Sequence, residues 1–321
     1  MRFIIYGAGG IGASIGARLH LDGQDVVLIA RGEHFNSLRS KGLRFVSPRH
    51  DKVLHIPSIC HPSDLESDAR DIVFLCMKGQ HTDEALVDLQ KVVPDTTPIV
   101  CCQNGVANER AALRRFENVY AMCVLVPAEH LEPGVAINFA EETAGALDVG
   151  RYPVGLDLTA EDIAAALRNA GFSSVADSSV MRHKYAKLLG NLSNAVQAAC
   201  GTGSRNIASI LRSEALACYA AAGIECASAA ESRERRSEIN GAPVEGFARH
   251  GGSSLQSIMR NTGNIEVDFL NGEIVQLGRL YGIPTPANRI VQSIGHQVAL
   301  SGRAGKHCTI EELEEMVARE C

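Results

Sequence analysis

Short apolar runs alternate with helical patterns through the first half of the chain. Apolar, mostly β-branched runs predict strands at residues 3–6, 25–30, 71–77, 99–103 and 119–126, and helical spacing predicts helices at 11–21, 82–92 and 108–116. Strands that are apolar almost throughout are typical of a parallel sheet that helices cover on both faces. The pattern therefore predicts an α/β, Rossmann-like, doubly wound parallel sheet.

The second half of the chain has a different pattern. Residues 134–150 are predicted to form an antiparallel pair that closes the sheet, and a helix at 160–170 ends at Gly171. After Asp177 the strand patterns stop, and alanine, leucine and charged residues follow at helical spacing, including a long segment at 264–281. We expect a Rossmann domain at 1–177 and an all-α C-terminal domain at 178–321, since 321 residues exceed what one core usually organises.

Two charged segments in this region are predicted to be helical. The run ESRERRSE (231–238) is interpreted as a solvated helix face, and the acidic segment near the C-terminus as an amphipathic helix packed on the second domain.

The composition excludes several classes of protein. A net charge of -6 gives no electrostatic case for binding nucleic acid or an anionic membrane. The apolar run at the N-terminus is too short for a signal peptide or a membrane span, so a cytoplasmic protein is expected. The 10 cysteines are scattered without a Cys-x-x-Cys pair, which favours buried or free thiols over disulfides and predicts no metal site.

A glycine-rich motif stands between the first strand and the first helix. Gly7, Gly9 and Gly12 have the spacing of a dinucleotide-binding fingerprint, in the context that this fingerprint requires. The first glycine allows a tight turn, the second allows close approach of a pyrophosphate, and the third allows the helix to pack on the strand. The predicted cofactor loop consists of Gly7, Ala8, Gly9, Gly10, Ile11 and Gly12.

The end of the second strand indicates which nicotinamide cofactor is used. An NAD enzyme carries an acidic residue there, whereas this chain has Ala30 followed by Arg31. An arginine can bind a 2′-phosphate, so NADP (NADPH) is predicted, with an ordinary surface role for Arg31 as the alternative. Lys78 and Asn104 follow the strands at 71–77 and 99–103, and they are predicted to contact the cofactor at the carboxyl edge of the sheet.

The segment KYAKLLGNLSNA (184–195) carries a polar stripe. On a continuous helix, Lys184, Lys187, Asn191 and Asn194 share one face. Taken alone, this stripe fits the solvated side of an amphipathic helix better than a catalytic face, because most charged helix faces are solvated.

Seven motifs in order resemble the ketopantoate reductase family, the NADP-dependent 2-dehydropantoate 2-reductases. They are GAGGIG, LIARG, MKGQHT, QNGVANE, KLLGN, SSLQS and IEVDFLNGEIVQLGRLYGIPTPAN, and together they extend over nearly the whole chain. The first motif occurs in many dehydrogenases, whereas the ordered set is specific to the family. The resemblance implies a Rossmann domain followed by a helical domain.

The resemblance also implies roles for individual residues. The family's lysine helix places the catalytic lysine at Lys187 and a substrate-binding asparagine at Asn191, with Asn194 beside them. Its acidic residue falls on Glu266, which is expected to serve both catalysis and cofactor binding, and its serine falls on Ser254 on the substrate side. The cofactor contacts of the family fall on Arg31, Lys78 and Asn104, and more loosely on Ala128.

Three positions depart from the family pattern. This chain has Ala195 where the family has a second asparagine, Ile258 where it has aspartate, and Ile265 where it has threonine. All three are substrate-side positions, so the identity of the substrate becomes open while the cofactor prediction is unaffected.

The implied reaction is hydride transfer from NADPH to the carbonyl carbon of a small 2-oxo acid, with Lys187 as general acid. The first hypothesis is reduction of ketopantoate for pantothenate synthesis. The second is reduction of another branched 2-oxo acid, and the third is a non-catalytic NADP-binding redox sensor. The sequence is compatible with a monomer or a homodimer.

Overall fold

The computed structural model describes residues 1–251, 253–259, 265–302 and 305–320. The chain divides into two compact units. The first consists of Met1–His183 and Ala229–Arg249, and the second of Lys184–Ser228 and His250–Cys321. The chain therefore leaves the first unit, returns to it for residues 229–249, and leaves it again.

The strands belong to the first unit. They are β1 (Arg2–Tyr6), β2 (Asp25–Ile29), β3 (Leu43–Ser47), β4 (His50–Leu54), β5 (Ser58–Ile59), β6 (Asp71–Leu75), β7 (Ile99–Cys101), β8 (Val119–Leu125), β9 (Ala128–Glu129), β10 (Val135–Asn138) and β11 (Ala146–Arg151). The main sheet has the order β11-β8-β7-β6-β1-β2-β5. All of its neighbouring strands are parallel except β11 and β8, which confirms the predicted parallel sheet.

Helices cover this sheet and form the second unit. Those of the first unit are α1 (Gly10–Leu21), α2 (Gly32–Lys41), α3 (Thr82–Leu89), α4 (Asn108–Leu113), α5 (Leu158–Asn169) and α9 (Ala229–Ser237). Helix α6 (Val180–Asn191) begins in the first unit and ends in the second. The second unit adds α7 (Asn194–Cys200), α8 (Arg205–Ala222), α10 (Ser253–Met259), α11 (Asn271–Tyr281), α12 (Pro286–Ser301) and α13 (Ile310–Glu320).

Two apolar cores lie on the two faces of the main sheet. Alternate residues of β1 divide between them: Phe3 and Ile5 join the core that includes α1 and α5, whereas Ile4 joins the core that includes α3 and α4. All three side chains are fully buried. Burial on both faces explains why this strand is apolar throughout.

The predicted antiparallel pair at 134–150 is wrong. Only β11 joins the main sheet, where it pairs antiparallel with β8. Strand β10 instead lies in a second sheet of order β4-β3-β10-β9, parallel to β3 and antiparallel to β9. The two strands follow each other in the chain, but they belong to different sheets.

The polar stripe at 184–195 does not lie on one continuous helix. Helix α6 ends at Asn191, residues 192 and 193 form a turn, and α7 begins at Asn194. The carbonyl of Leu192 accepts a hydrogen bond from Asn271 Nδ2 at 3.0 Å, so a tertiary contact anchors the break. Asn194 is therefore not on the stripe of Lys187 and Asn191.

The predicted helix at 264–281 begins later than expected. A 3-10 turn occupies Val267–Phe269, and α11 begins at Asn271. Position 264 lies outside the described residues. The predicted end is confirmed, because Gly282 terminates α11 with φ +72°.

Both charged segments form helices, as predicted. The buried residues of α13 are Leu313 and Val317, and this helix packs against α12 and α8. Helix α9 is mostly exposed, but the interpretation of its whole length as a solvated face is wrong at Arg235. This side chain is 13% exposed and forms a bidentate ion pair with Asp148 of β11 at 2.5 and 2.7 Å.

None of the helices in the described part of the chain is both long and apolar enough to cross a membrane. Among the same residues, no group of three or more His, Cys, Asp or Glu side chains is arranged to hold a metal ion.

Candidate active site

The glycine-rich loop has the sterics that a dinucleotide site requires. Gly7 has φ +99°, and a Cβ there would lie 2.6 Å from the Met77 nitrogen. A Cβ on Gly12 would lie 2.3 Å from the Gly7 carbonyl oxygen and 2.9 Å from Ile5 on β1. A Cβ on Gly9 meets no described atom within 4 Å. Gly7 and Gly12 are therefore needed by the fold, whereas Gly9 leaves open space beside the loop.

The loop leads directly into α1, whose first turn can bind an anion. Gly9 is the N-cap of α1, and the first turn, which contains Gly10, Ile11 and Gly12, carries no acidic residue. The first N–H groups of a helix have no acceptor within the helix, and they favour a negatively charged ligand. The loop and the helix start together fit the pyrophosphate of a dinucleotide.

Neighbouring segments hold this loop in place. The N–H groups of Gly7 and Ala8 donate to the carbonyl of Ile29 at 3.0 and 3.2 Å, which ties the loop to the end of β2. His34 donates from Nε2 to the Ala8 carbonyl at 2.7 Å and accepts the Gly134 N–H at Nδ1 at 2.9 Å. Because a backbone N–H can only donate, Nδ1 of His34 is the acceptor nitrogen and Nε2 carries the proton. His34 could not be identified from the sequence, since the pattern around it gives no sign of this contact.

Ala128 lies close to the first turn of α1. A Cβ on Gly10 would come within 3.3 Å of the Ala128 carbonyl carbon. The structure therefore places Ala128, at the start of β9, against the first turn of the helix.

The other predicted cofactor contacts of the first unit lie on the same edge of the sheet as the loop. Strands β7, β6, β1 and β2 are neighbours, and their carboxyl ends lead to Asn104, Lys78, the glycine loop and Arg31. Arg31 is the N-cap of α2, and its side chain is 61% exposed. Its ion pair with Glu84 spans 3.9 Å between two exposed groups. Such a pair contributes little stability and can give way to a phosphate.

A buried polar network supports the loop that carries Asn104. Gln103 Nε2 donates to Thr82 Oγ1 at 3.0 Å, and Thr82 Oγ1 donates to Asn108 Oδ1 at 2.8 Å. Asn108 Nδ2 in turn donates to the Asn104 carbonyl at 3.3 Å. The network ties the loop after β7 to the start of α3. These residues could not be identified from the sequence either, because a buried amide has no distinctive pattern.

Lys187 and Asn191 lie four residues apart on α6, so they share one face of that helix. Asn191 Nδ2 is shielded from solvent and finds no hydrogen-bond partner among the described residues. A buried amide donor without an acceptor is costly, and an oxygen atom of a bound ligand would satisfy it. The end of α6 thus provides a cation and an unsatisfied donor on the same side.

The remaining predicted residues lie on neighbouring elements of the second unit. Ser254 is 3% exposed on α10, which packs against α7, the helix that begins at Asn194. Glu266 is 3% exposed and precedes the 3-10 turn before α11. The bond from Asn271 to the Leu192 carbonyl joins the start of α11 to the end of α6.

Family models match both halves of the chain. One described as "Ketopantoate reductase PanE/ApbA" matches residues 3–153, and one described as its C-terminal part matches residues 179–299. The chain belongs to the ketopantoate reductase family.

The alignments with curated relatives of this ketopantoate reductase family member cover nearly the full length of both chains. The 2-dehydropantoate 2-reductase of Archaeoglobus fulgidus is 29% identical over 303 residues, which cover 91% of this chain and 96% of the relative. That of Pyrococcus horikoshii is 25% identical over 300 residues, with coverage of 92% and 96%.

Solved structures show the same fold. A PanE/ApbA family ketopantoate reductase from Ralstonia eutropha is 25% identical with a TM-score of 0.79, covering 94% of this chain and 99% of that one. A D-mandelate dehydrogenase in complex with NADH and anilino(oxo)acetate is 22% identical with a TM-score of 0.80 and the same coverage. The latter likeness concerns the fold alone.

The three departures from the ketopantoate reductase pattern are all buried. Ala195 is 2% exposed, and Ile258 and Ile265 are each 5% exposed. Apolar side chains therefore occupy buried positions around the elements that carry Asn194, Ser254 and Glu266.

A second buried network supports the end of α6. Asn271 also donates to Asn288 Oδ1 at 3.1 Å, and Asn288 Nδ2 donates to Glu214 Oε2 at 2.7 Å. Glu214 further accepts the backbone N–H groups of Ala287 and Asn288 at 2.8 and 3.0 Å. The network joins α8, α11 and α12 to Leu192, the residue after Asn191. The network gives a structural role to Asn271 and Asn288, the two asparagines that follow Phe269 in the last of the seven family motifs.

Lys184 differs from Lys187 in its surroundings. Lys184 is 3% exposed, whereas Lys187 is partly exposed. A lysine on a polar helix stripe is expected to be solvated, so the burial of Lys184 is a tertiary effect that the sequence pattern does not reveal.

Proposed function

We propose that the protein is an NADPH-dependent oxidoreductase that reduces 2-dehydropantoate (ketopantoate) to pantoate, a step in pantothenate synthesis. The observation that carries the proposal is that Lys187 and the buried, unsatisfied amide nitrogen of Asn191 lie on one face of α6. Membership of the family over both halves of the chain and the sterics of the glycine loop support it.

Cofactor binding is assigned to the first unit. The first turn of α1 would hold the pyrophosphate beside Gly9, and Arg31 would bind the 2′-phosphate. Lys78, Asn104 and Ala128 would complete this part of the site at the same edge of the sheet. When bound, the reduced nicotinamide supplies the hydride.

Proton transfer is assigned to the second unit. Negative charge develops on the substrate carbonyl oxygen during reduction, and the Lys187 ammonium neutralises it by donating a proton. Asn191 Nδ2 donates a hydrogen bond that orients the carbonyl or hydroxyl oxygen, which satisfies this otherwise unpaired donor. Glu266 positions a substrate hydroxyl, the nicotinamide ribose or Lys187. Asn194 and Ser254 bind the remainder of the substrate.

A second substrate class has a specific observation in its favour. Ala195, Ile258 and Ile265 are apolar and buried, and none of them can pair with a hydroxyl group. A site that leaves a substrate hydroxyl unpaired disfavours that substrate strongly. A branched 2-oxo acid without a hydroxyl group is therefore the alternative substrate.

The two candidates can be separated by NADPH oxidation against a panel of 2-oxo acids. The wild type should turn over ketopantoate with a higher kcat/KM than its analogue without the hydroxyl group. A reversed preference would support the alternative, and Ala195→Asn combined with Ile258→Asp should then restore activity on ketopantoate. Tight NADPH binding without turnover of any 2-oxo acid would contradict both and favour a redox sensor.

A further inference from the structure

Two thiols that are distant in the chain meet in the second unit. Cys200 is the last residue of α7, and Cys308 lies just before α13. Their sulfur atoms are 3.5 Å apart, although 108 positions separate them in sequence. Both residues are half-buried. Neither takes part in the proposed reduction.

Backbone contacts impose this proximity. The N–H groups of Gly305 and His307 donate to the carbonyls of Ala198 and Ala199 at 2.7 and 2.9 Å. The segment before α13 is thereby hydrogen-bonded along the last turn of α7. These backbone bonds on the approach to Cys308 hold its segment beside the end of α7, and the side-chain rotamers then set the distance between the sulfur atoms.

Two glycines allow the segments to approach so closely. Gly201 ends α7 with φ +76°, and Gly305 has φ +68°. A Cβ on Gly305 would lie 2.8 Å from the Gly201 Cα, so the two backbones are in direct contact. A hydrogen bond of 2.6 Å from Ser204 Oγ to Glu314 Oε1 attaches α13 to the start of α8 as well.

We propose that Cys200 and Cys308 are a redox-sensitive pair that forms a disulfide in the folded protein. The sulfurs must approach from 3.5 Å to the roughly 2.05 Å of a disulfide bond, which small side-chain rotations can supply. The bond would fasten the C-terminal segment covalently to α7.

The reaction is a two-electron oxidation of the thiols by a peroxide. One sulfur attacks a peroxide oxygen, the O–O bond breaks, and a sulfenic acid and one water form. The second sulfur then attacks the sulfenic sulfur, the S–O bond breaks, and a second water leaves with the remaining thiol proton. Two thiols and one hydrogen peroxide thus give one disulfide and two waters. A dithiol reverses the oxidation by exchange.

The surroundings of Cys200 lower the reactivity of its thiol. Burial, together with the hydrogen bond to Cys308, raises the pKa of the Cys200 thiol to about 12. Cys200 therefore keeps its proton at neutral pH and is a slow nucleophile, because the thiolate is the reactive form. The pair is therefore expected to react slowly with peroxide at neutral pH.

The disulfide should stabilise the protein against unfolding. A bond across 108 positions closes a long loop and restricts the unfolded chain. Oxidation should therefore raise the Tm by about 5 °C, and dithiothreitol should reverse the rise.

The test uses the full-length folded protein and hydrogen peroxide. Remaining thiols are blocked with N-ethylmaleimide, and non-reducing peptide mass spectrometry identifies the cross-links. The expected product is one Cys200–Cys308 linked peptide, two hydrogens lighter than the sum of the two, together with the higher Tm. Cys200→Ser and Cys308→Ser should each abolish both effects. Cys60→Ser, at an exposed cysteine, should leave both unchanged.

Three results would overturn the proposal. They are a Cys308 cross-link to Cys321 instead of Cys200, a Cys200–Cys308 cross-link that appears only in denaturant, and no cross-link at peroxide concentrations that oxidise Cys60. If a serine variant does not fold, Cys308→Ala replaces it. None of these readouts uses catalytic activity, so the outcome is independent of the proposed function.

Discussion

Gly9 and Gly12 stand three residues apart, but they meet different demands. A Cβ fits at Gly9, where φ is -74° and the space is open, whereas at Gly12 it would clash with the Gly7 carbonyl. We predict that Gly9→Ala keeps the wild-type Tm and weakens NADPH binding by about ten-fold or more, because a methyl group would stand where the pyrophosphate approaches. Gly12→Ala should lower the Tm by several degrees.

Thermal unfolding and cofactor titration of the two variants provide the measurement. Unchanged NADPH affinity in Gly9→Ala would contradict the placement of the pyrophosphate beside this residue.

Arg31 should determine the choice of cofactor. A charge-assisted hydrogen bond contributes about 1.5 to 3 kcal/mol, so NADPH should bind roughly ten-fold or more tightly than NADH. Arg31→Asp should reverse this order, because a carboxylate repels the 2′-phosphate and can accept from the ribose hydroxyls. Fluorescence titration of both cofactors checks the prediction, and equal affinities in the wild type would contradict it.

Lys187 should be required for turnover and not for cofactor binding. Lys187→Ala is expected to lower kcat by about a hundred-fold or more, while the NADPH Kd changes little. Only the ammonium form can donate a proton, so the wild-type rate should fall at high pH and the variant should lack this dependence. Steady-state kinetics over a pH series measures both effects.

The control for Lys187 must be a solvated lysine. Lys184 lies one turn earlier, and the sequence alone predicts that Lys184→Ala has almost no effect on the enzyme. Lys184 is only 3% exposed, however, so we expect Lys184→Ala to lower the stability of the fold. Lys52 is exposed on β4, so Lys52→Ala is the matched control. Equal rates in Lys187→Ala and Lys52→Ala would show that the proton comes from another group.

The contrast between these lysines shows what the sequence can reveal about single residues. The steric roles of Gly7 and Gly12 were predictable from their spacing between a strand and a helix, and the structure shows that a Cβ at either position would clash. The burial of Lys184 and the contacts of His34 were not, since both depend on partners distant in sequence.

At the level of helices, the Asn271–Asn288–Glu214 network should stabilise the second unit. Asn288→Ala leaves buried groups of Asn271 and Glu214 without their partner, which should cost about 2 kcal/mol and lower the Tm by several degrees. Asn206→Ala, at an exposed position of α8, is the control and should have little effect. Calorimetry compares the two, and equal Tm values would contradict the role of the network.

Elements with a strong pattern were predicted well, and those with a weak pattern were not. The strands of the main sheet are apolar throughout because both faces are buried, so their sequence identifies them. The second sheet contains β4, which is mostly exposed, and β9, which has two residues, and neither has a recognisable period. The break between α6 and α7 depends on a hydrogen bond from Asn271, 79 positions away.

At the scale of the whole molecule, the sequence predicts two domains, each formed by one continuous segment of the chain. The contacts divide the chain differently, because residues 229–249 return to the first unit. The buried ion pair of Arg235 with Asp148 anchors this segment. Backbone hydrogen bonds from Glu141 to Asn240 and from Ala242 to Phe139 attach it further. In the sequence, Arg235 looks like any solvated charge, because its partner Asp148 is 87 positions away. The return of residues 229–249 to the first unit therefore could not be predicted.

Product formation is the decisive measurement for the proposed reduction of a 2-oxo acid with NADPH. The purified protein is incubated with NADPH and ketopantoate, NADPH oxidation is followed by absorbance, and the organic acid is quantified by mass spectrometry. We expect one pantoate formed for each NADPH oxidised, and a loss of about a hundred-fold or more in rate with Lys187→Ala. NADPH binding without oxidation, with ketopantoate and with every other 2-oxo acid offered, would contradict it.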